Sequence, residues 1–234
     1  MLITAIIFLA IFTQSVSGFG LSLVAMSLLV NIIGIREATP LVSLVAITAE
    51  FIVLVYYRHV FNLRAVARLS VASVFGIPIG LFFLQRVDAG IVTAVLGVIL
   101  LAFSLYSLLG LVLPRLEHPL WAYSLGFLSG ILGGAYNTSG PPVVIYGTCR
   151  RWPPAEFKCN LQGFFLLISC LASLGHALSG SLTPTVWHHY LYALPGIGLG
   201  AVVGFSLDKR VDPQLFRRLI LLLLIVLGLR LIWP

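Results

Sequence analysis

"GGAYNTSGPPVVIYG", Gly133 to Gly147, interrupts one of the longest apolar runs of the chain. Asn137, Thr138, Ser139, Gly140, Pro141 and Pro142 stand together where an unbroken membrane helix carries Leu and Ile. Glycine loosens a helix and proline removes one of its donors, so the run cannot continue an ordinary helix. It is either a loop outside a bilayer or a break within one.

Composition places the chain in a membrane. Of its 234 residues 60% are hydrophobic and 9% charged, with a mean hydropathy of +1.10. A soluble domain carries about 25% charged residues. The repeated apolar runs are long enough for spanning helices, and the short alternating segments of a β-barrel are missing. The net charge of +7 comes from 14 Lys and Arg residues that fall mostly between the apolar runs, a placement that sets orientation in a bilayer and does not point to nucleic acid. Cys149, Cys159 and Cys170 form no CxxC pair, so neither a disulfide framework nor a structural metal site is expected. Met1 to Ser17 has the small residues Ser15 and Ser17 of a cleavable leader. However, no basic residue precedes its apolar run, and the next is Arg36, so it is read as part of a span.

The apolar segments lie near 2–33, 40–57, 68–84, 90–113, 119–149, 156–178, 186–207 and 213–233. A single helix over 2–33 would run about 48 Å, against a hydrocarbon core of about 30 Å. The segment 119–149 is too long for the same reason. Each carries an interruption, "SVSGFG" (Ser15 to Gly20) in the first and "NTSGPP" in the second. The third plain segments also match. "GIPIGLFFLQRVD" (Gly76 to Asp88) resembles "GAVVGFSLDKRVD" (Gly200 to Asp212), 124 residues further on. An offset of 122 residues lays Ser17-Gly18 on Ser139-Gly140. The expected architecture is an all-α polytopic membrane protein with one integral membrane domain over 1–234, made of a repeat over 1–113 and a repeat over 119–234. Each repeat is an interrupted helical hairpin followed by three transmembrane helices.

The basic loops alternate between the halves. Arg58, Arg64 and Arg68 follow the second segment of the first half, whereas the equivalent "SGSLTPTVW" of the second half is uncharged. Arg150, Arg151 and Lys158 follow the second interrupted segment, and Lys209, Arg210, Arg217 and Arg218 the last loop, against Arg36 with Glu37 and Arg86 with Asp88 in the first half. Positive loops mark the cytoplasm. The pattern therefore predicts inverted repeats, with 58–68, 150–158 and 208–218 cytoplasmic and both termini on the other side. The simpler alternative is one kinked through-helix per half in parallel repeats.

A break at membrane depth must face protein or a water-filled cavity. At such a tip Gly140 allows a sharp turn, Pro141 and Pro142 suit a starting helix, and Asn137, Thr138 and Ser139 supply polar side chains. Helix N-termini bind anions. The expected substrate site therefore combines Ser15, Ser17 and Gly18 from one half with Asn137, Thr138, Ser139 and Gly140 from the other. A polar external loop remains the competing reading.

"GFLSGILGGAYNTSGPPVVIYG", with "SGFG" in the first half and the paired Gly-rich third segments, resembles the sulfite exporter TauE/SafE family. The family pattern is a Gly-rich G-x-x-G-P-P element in the second half with a weaker copy in the first. Here Asn137 and Ser139 stand where glycine is common. The resemblance implies a transporter of the bacterial cytoplasmic membrane for sulfite, sulfoacetate or related organic anions.

Other residues extend this expectation. Glu50, about halfway along its span, is either a proton carrier for coupling or a carboxyl hydrogen-bonded between helices. Arg36 and Lys158 flank the interrupted segments and either attract anions or anchor loops. Gln162 and His176 line a polar path or serve packing, and His188 and His189 sit in an aromatic belt with Trp187, Tyr190 and Tyr192. Gly76 with Gly80 and Gly200 with Gly204 are small-xxx-small pairs for close helix packing, within the chain or in a homodimer. The expected function is secondary transport of a small anion without a cofactor or metal. The alternatives are a passive channel and, with no constellation to support it, a membrane-embedded enzyme or redox relay.

Overall fold

A computed structural model describes residues 1–57, 62–110, 114–207 and 213–233. Arg58, Lys209, Arg210, Val211 and Asp212 lie outside the described residues, as does the end of the first repeat at 111–113. Among the described residues there are ten helices and no strand: α1 (Leu2–Ser17), α2 (Leu21–Ile33), α3 (Ile35–Tyr57), α4 (Leu63–Arg86), α5 (Ala89–Leu109), α6 (Pro119–Tyr136), α7 (Gly140–Cys149), α8 (Pro154–Leu178), α9 (Pro184–Leu207) and α10 (Pro213–Ile232). Five of them, α3, α4, α5, α8 and α9, are long and apolar enough to cross a membrane. The chain is a multi-pass helical membrane protein. Large apolar side chains such as Phe75, Phe82, Leu105, Leu199 and Val226 are exposed around the bundle, as a lipid-facing shell requires.

Both long apolar segments are broken. At 1.5 Å per residue, α1 is about 24 Å long, α2 about 20 Å and α7 about 15 Å, so none reaches across the hydrocarbon core alone. The α1 helix continues through Ser15 and Ser17 and stops at Gly18, whose φ of 81° is left-handed. The α6 helix stops at Asn137, left-handed at φ 50°, a conformation that asparagine tolerates better than most side chains. The two breaks therefore correspond at Gly18 and Asn137, 119 residues apart, and not at the expected offset of 122. The Ser-Gly identity pointed to the wrong register because the element that repeats is the left-handed stop, which glycine fills in one half and asparagine in the other.

Glycine seams fix the neighbours of the broken segments. Cβ atoms at Gly126, Gly130 and Gly134 of α6 would collide with the backbone of Leu69, Ser73 and Ile77 in α4, and those at Gly76 and Gly80 with the backbone of Phe127 and Ile131. The contact positions rise together, so α4 and α6 run parallel at backbone distance. In the same way Gly196, Gly200 and Gly204 of α9 receive Thr4, Phe8 and Ser15 of α1. Both small-residue stripes are thus consumed inside the chain.

The central pair runs the other way. Ser173 of α8 donates to Ser43 of α3 at 2.8 Å, and Ser169 hydrogen-bonds Glu50. Asn62, just before α4, donates through its backbone N–H to Asn160 Oδ1 near the start of α8 at 2.9 Å. Rising numbers on one helix meet falling numbers on the other, so α3 and α8 are antiparallel. The far end of α8 packs Gly175 against Leu81, near the far end of α4. The loop 179–183 therefore lies at the opposite end of α4 from Arg64. The second hairpin closes on itself, because Arg150 after α7 donates to the carbonyl of Leu116 before α6 at 3.3 Å.

The glycine seam predicts a stability effect. Gly130→Val should drive the α4 and α6 backbones apart and destabilise the purified protein by about 1–3 kcal/mol, read as a lowered melting temperature. Gly198→Ala, with open space at its Cβ position, should melt like the wild type.

Candidate functional site

The two breaks meet. Asn137, Thr138, Ser139 and Gly140 of the second and Gly20, Leu21, Ser22 and Leu23 of the first line one small cavity, with a volume of about 20 Å³. Gln14 from the last turn of α1, Glu50 from α3 and Phe165 from α8 complete the wall. Phe165 lies about 16 Å along α8, near the middle of that 25-residue helix.

The chain reaches this geometry by stopping two helices and starting two others. Gly18 N–H closes α1 on Gln14 O at 2.7 Å, and Asn137 N–H closes α6 on Gly133 O at 2.8 Å. After each stop a new helix begins with no side-chain cap, α2 behind Gly20 (φ 106°) and α7 behind Ser139. The first backbone N–H groups of a helix have no partner within it. In α2 these belong to Leu21, Ser22 and Leu23. In α7, Pro141 and Pro142 have no N–H, so Ser139 and Gly140 supply its donors. Two helix N-termini with their positive dipole ends therefore open onto the cavity. No lysine or arginine is among its described lining residues.

An amide ladder holds the first tip. Gln162 of α8 donates Nε2 to Gly18 O at 2.8 Å, and its Oε1 accepts from Gln14 Nε2 at 2.8 Å. On the other side Asn137 Nδ2 reaches Ser169 Oγ at 3.5 Å, while Asn137 Oδ1 is buried without a partner. Glu50 Oε2 is buried without a partner as well. Thr138 turns its hydroxyl to Tyr136 O.

Of the residues expected to bind, Asn137, Thr138, Ser139 and Gly140 line the cavity, as does the proton-coupling candidate Glu50, whereas Ser15, Ser17 and Gly18 do not. Ser15 sits against Gly204 of α9. The Ser17 hydroxyl is held between the carbonyls of Thr13 and Phe19. Gly18 faces α8, where the Lys158 stem packs at 2.8 Å from the position a Cβ would take. The helical continuation through Ser17 causes this, because it turns the three residues away from the tip and leaves Gln14 and the start of α2 to face inward. Arg36 bonds Val87 O at 3.3 Å, joining the start of α3 to the end of α4 away from the cavity. Lys158 packs its stem beside Gly18 and is not among the described lining residues. His176 is fully buried on α8, with neither ring nitrogen partnered, and does not reach the cavity. Sequence reasoning missed Gln14 and Phe165. A signal existed for Gln14, the one side-chain amide in α1. Phe165 looks like any lipid-facing or core phenylalanine.

Comparison with known proteins adds a family to this geometry. A family model described as "Sulfite exporter TauE/SafE" matches residues 3–231. The "Probable sulfite/organosulfonate exporter TauE" of Cupriavidus necator is 26% identical over 230 residues, covering 94% of this chain and 89% of that one. No solved structure matches the chain.

Proposed function

The chain belongs to the sulfite exporter TauE/SafE family, and from that premise we propose that it is a secondary transporter that carries sulfite or a small organosulfonate across the cytoplasmic membrane. The observation that carries this reading is the convergence of two uncapped helix N-termini on one cavity at the middle of the bundle. Backbone N–H groups and dipole ends replace part of the water around a compact oxyanion. Neutral donors hold it loosely enough for release. The binding set is Asn137, Thr138, Ser139 and Gly140 with the N-terminus of α2.

The architecture we propose is one integral membrane domain of two inverted repeats, 1–113 and 119–234, whose hairpins enter from opposite faces. Three observations support it. The α3 and α8 helices, which correspond in the two halves, are antiparallel. The parallel pairs α4–α6 and α1–α9 exchange when the halves are exchanged. The second hairpin starts and ends at one face, joined through Arg150 and Leu116. Parallel repeats of kinked through-helices would make α3 and α8 run the same way.

Glu50 couples the anion to a proton. Charged, it faces the same cavity and repels an anion. Protonated, it offers an O–H in place of that repulsion. The anion then loads together with a proton, which separates a coupled carrier from a passive channel.

Asn137→Gly keeps the left-handed backbone and removes only the amide. The purified variant should melt near the wild type and bind sulfite roughly tenfold to hundredfold more weakly, the loss of about 1.5–3 kcal/mol expected for one hydrogen bond to an anion. Wild-type affinity would reduce Asn137 to a turn residue.

In proteoliposomes wild-type sulfite flux should rise as pH falls. Glu50→Gln should keep the fold and a measurable flux with a flattened pH profile. A profile unchanged from wild type would make Glu50 structural.

A further inference from the structure

The cavity offers more acceptors than a bare anion can use. Gly18 O can only accept, so Gln162 must turn Nε2 toward it and Oε1 toward Gln14. Gln14, which lines the cavity, must then donate its Nε2 to Gln162 and can only accept at its Oε1. The orientation of Gln14 is thus dictated by a backbone carbonyl two hydrogen bonds away. Asn137 adds Oδ1, buried without a donor on the same cavity. Its Nδ2 is turned to Ser169 Oγ, whose own hydrogen serves Glu50. Asn137 is 3% exposed, so its unpaired acceptor has little water to turn to.

The same cavity is lined by the first residues of α2 and α7, whose N–H groups are donors. The cavity therefore offers both donors and acceptors. A bare oxyanion satisfies the first and presents more oxygens to the second. We propose that the transported ligand is a monoanion that carries its own O–H or N–H: hydrogensulfite or a hydroxy- or aminoalkanesulfonate. Its sulfur oxygens sit on the helix N-termini and its donor on Gln14 Oε1 and Asn137 Oδ1. This rests on the reading of the cavity as the anion site and adds the substrate class. Dianions without a donor, such as sulfate and sulfoacetate, leave these acceptors unpaired and are rejected.

Two sulfonates of equal charge and length test this. Isothermal titration of the purified full-length protein with 2-hydroxyethanesulfonate and with 1-propanesulfonate compares an O–H with a methyl group. The wild type should bind the hydroxylated ligand about tenfold tighter or more. Gln14→Met keeps the side-chain length, removes both amide atoms and should close that gap. Equal affinities in the wild type overturn the inference and leave the anion site standing. This comparison needs no variant, so it decides even where Gln14→Met does not fold. A gap retained in folded Gln14→Met overturns the role given to Gln14. No binding of either sulfonate or of sulfite removes the anion site, and this inference with it.

Discussion

A backbone break inside a bilayer exposes N–H and C=O groups that lipid cannot satisfy. This chain has two backbone breaks between short helices, and both are packed against α8. The first tip is covered by α8, where Gln162 takes Gly18 O and the Lys158 stem fills the side of Gly18 that lacks a Cβ. The second tip is covered by Ser169 on the same helix. What remains uncovered, the starts of α2 and α7, opens onto the cavity. The groups that are hardest to bury and the groups suited to hold an anion are therefore the same groups.

Short helices cannot bury themselves, so each hairpin leans on a full span at backbone distance. The glycine seams make this possible, since side chains larger than a hydrogen at Gly76, Gly80, Gly126, Gly130 or Gly134 would strike a neighbouring backbone. Close packing of this kind stands in for the hydrophobic drive that is lost when lipid is the solvent. The stripes expected at close helix contacts are used up within one chain.

Helix placement was legible in the sequence because apolar length is dictated by bilayer thickness. All eight apolar segments correspond to observed helices, and both overlong ones are broken. The interior of the breaks was less legible. "SVSGFG" contains two serines beside a glycine, and nothing in it shows that the helix runs on to Ser17. One residue of extra helix rotates a side chain by about 100°, which is enough to turn Ser15 and Ser17 from the cavity toward α9 and their own turn. The second break was read correctly at Asn137 to Gly140, because the paired prolines fix where α7 begins. Gln14 and Gln162 pair across 148 positions, a contact that local pattern cannot reveal.

The central claim is that two hairpins enter from opposite faces and converge. Sided labelling tests it most directly. Single cysteines replace Arg64, Glu117, Arg151 and Ser181 in a background without Cys149, Cys159 and Cys170, and react with an impermeant maleimide in intact and inverted vesicles. The account predicts that positions 64, 117 and 151 are reached from the cytoplasmic face only and position 181 from the other face only. Position 181 labelled from the same face as 64, or positions 117 and 151 from opposite faces, would contradict it.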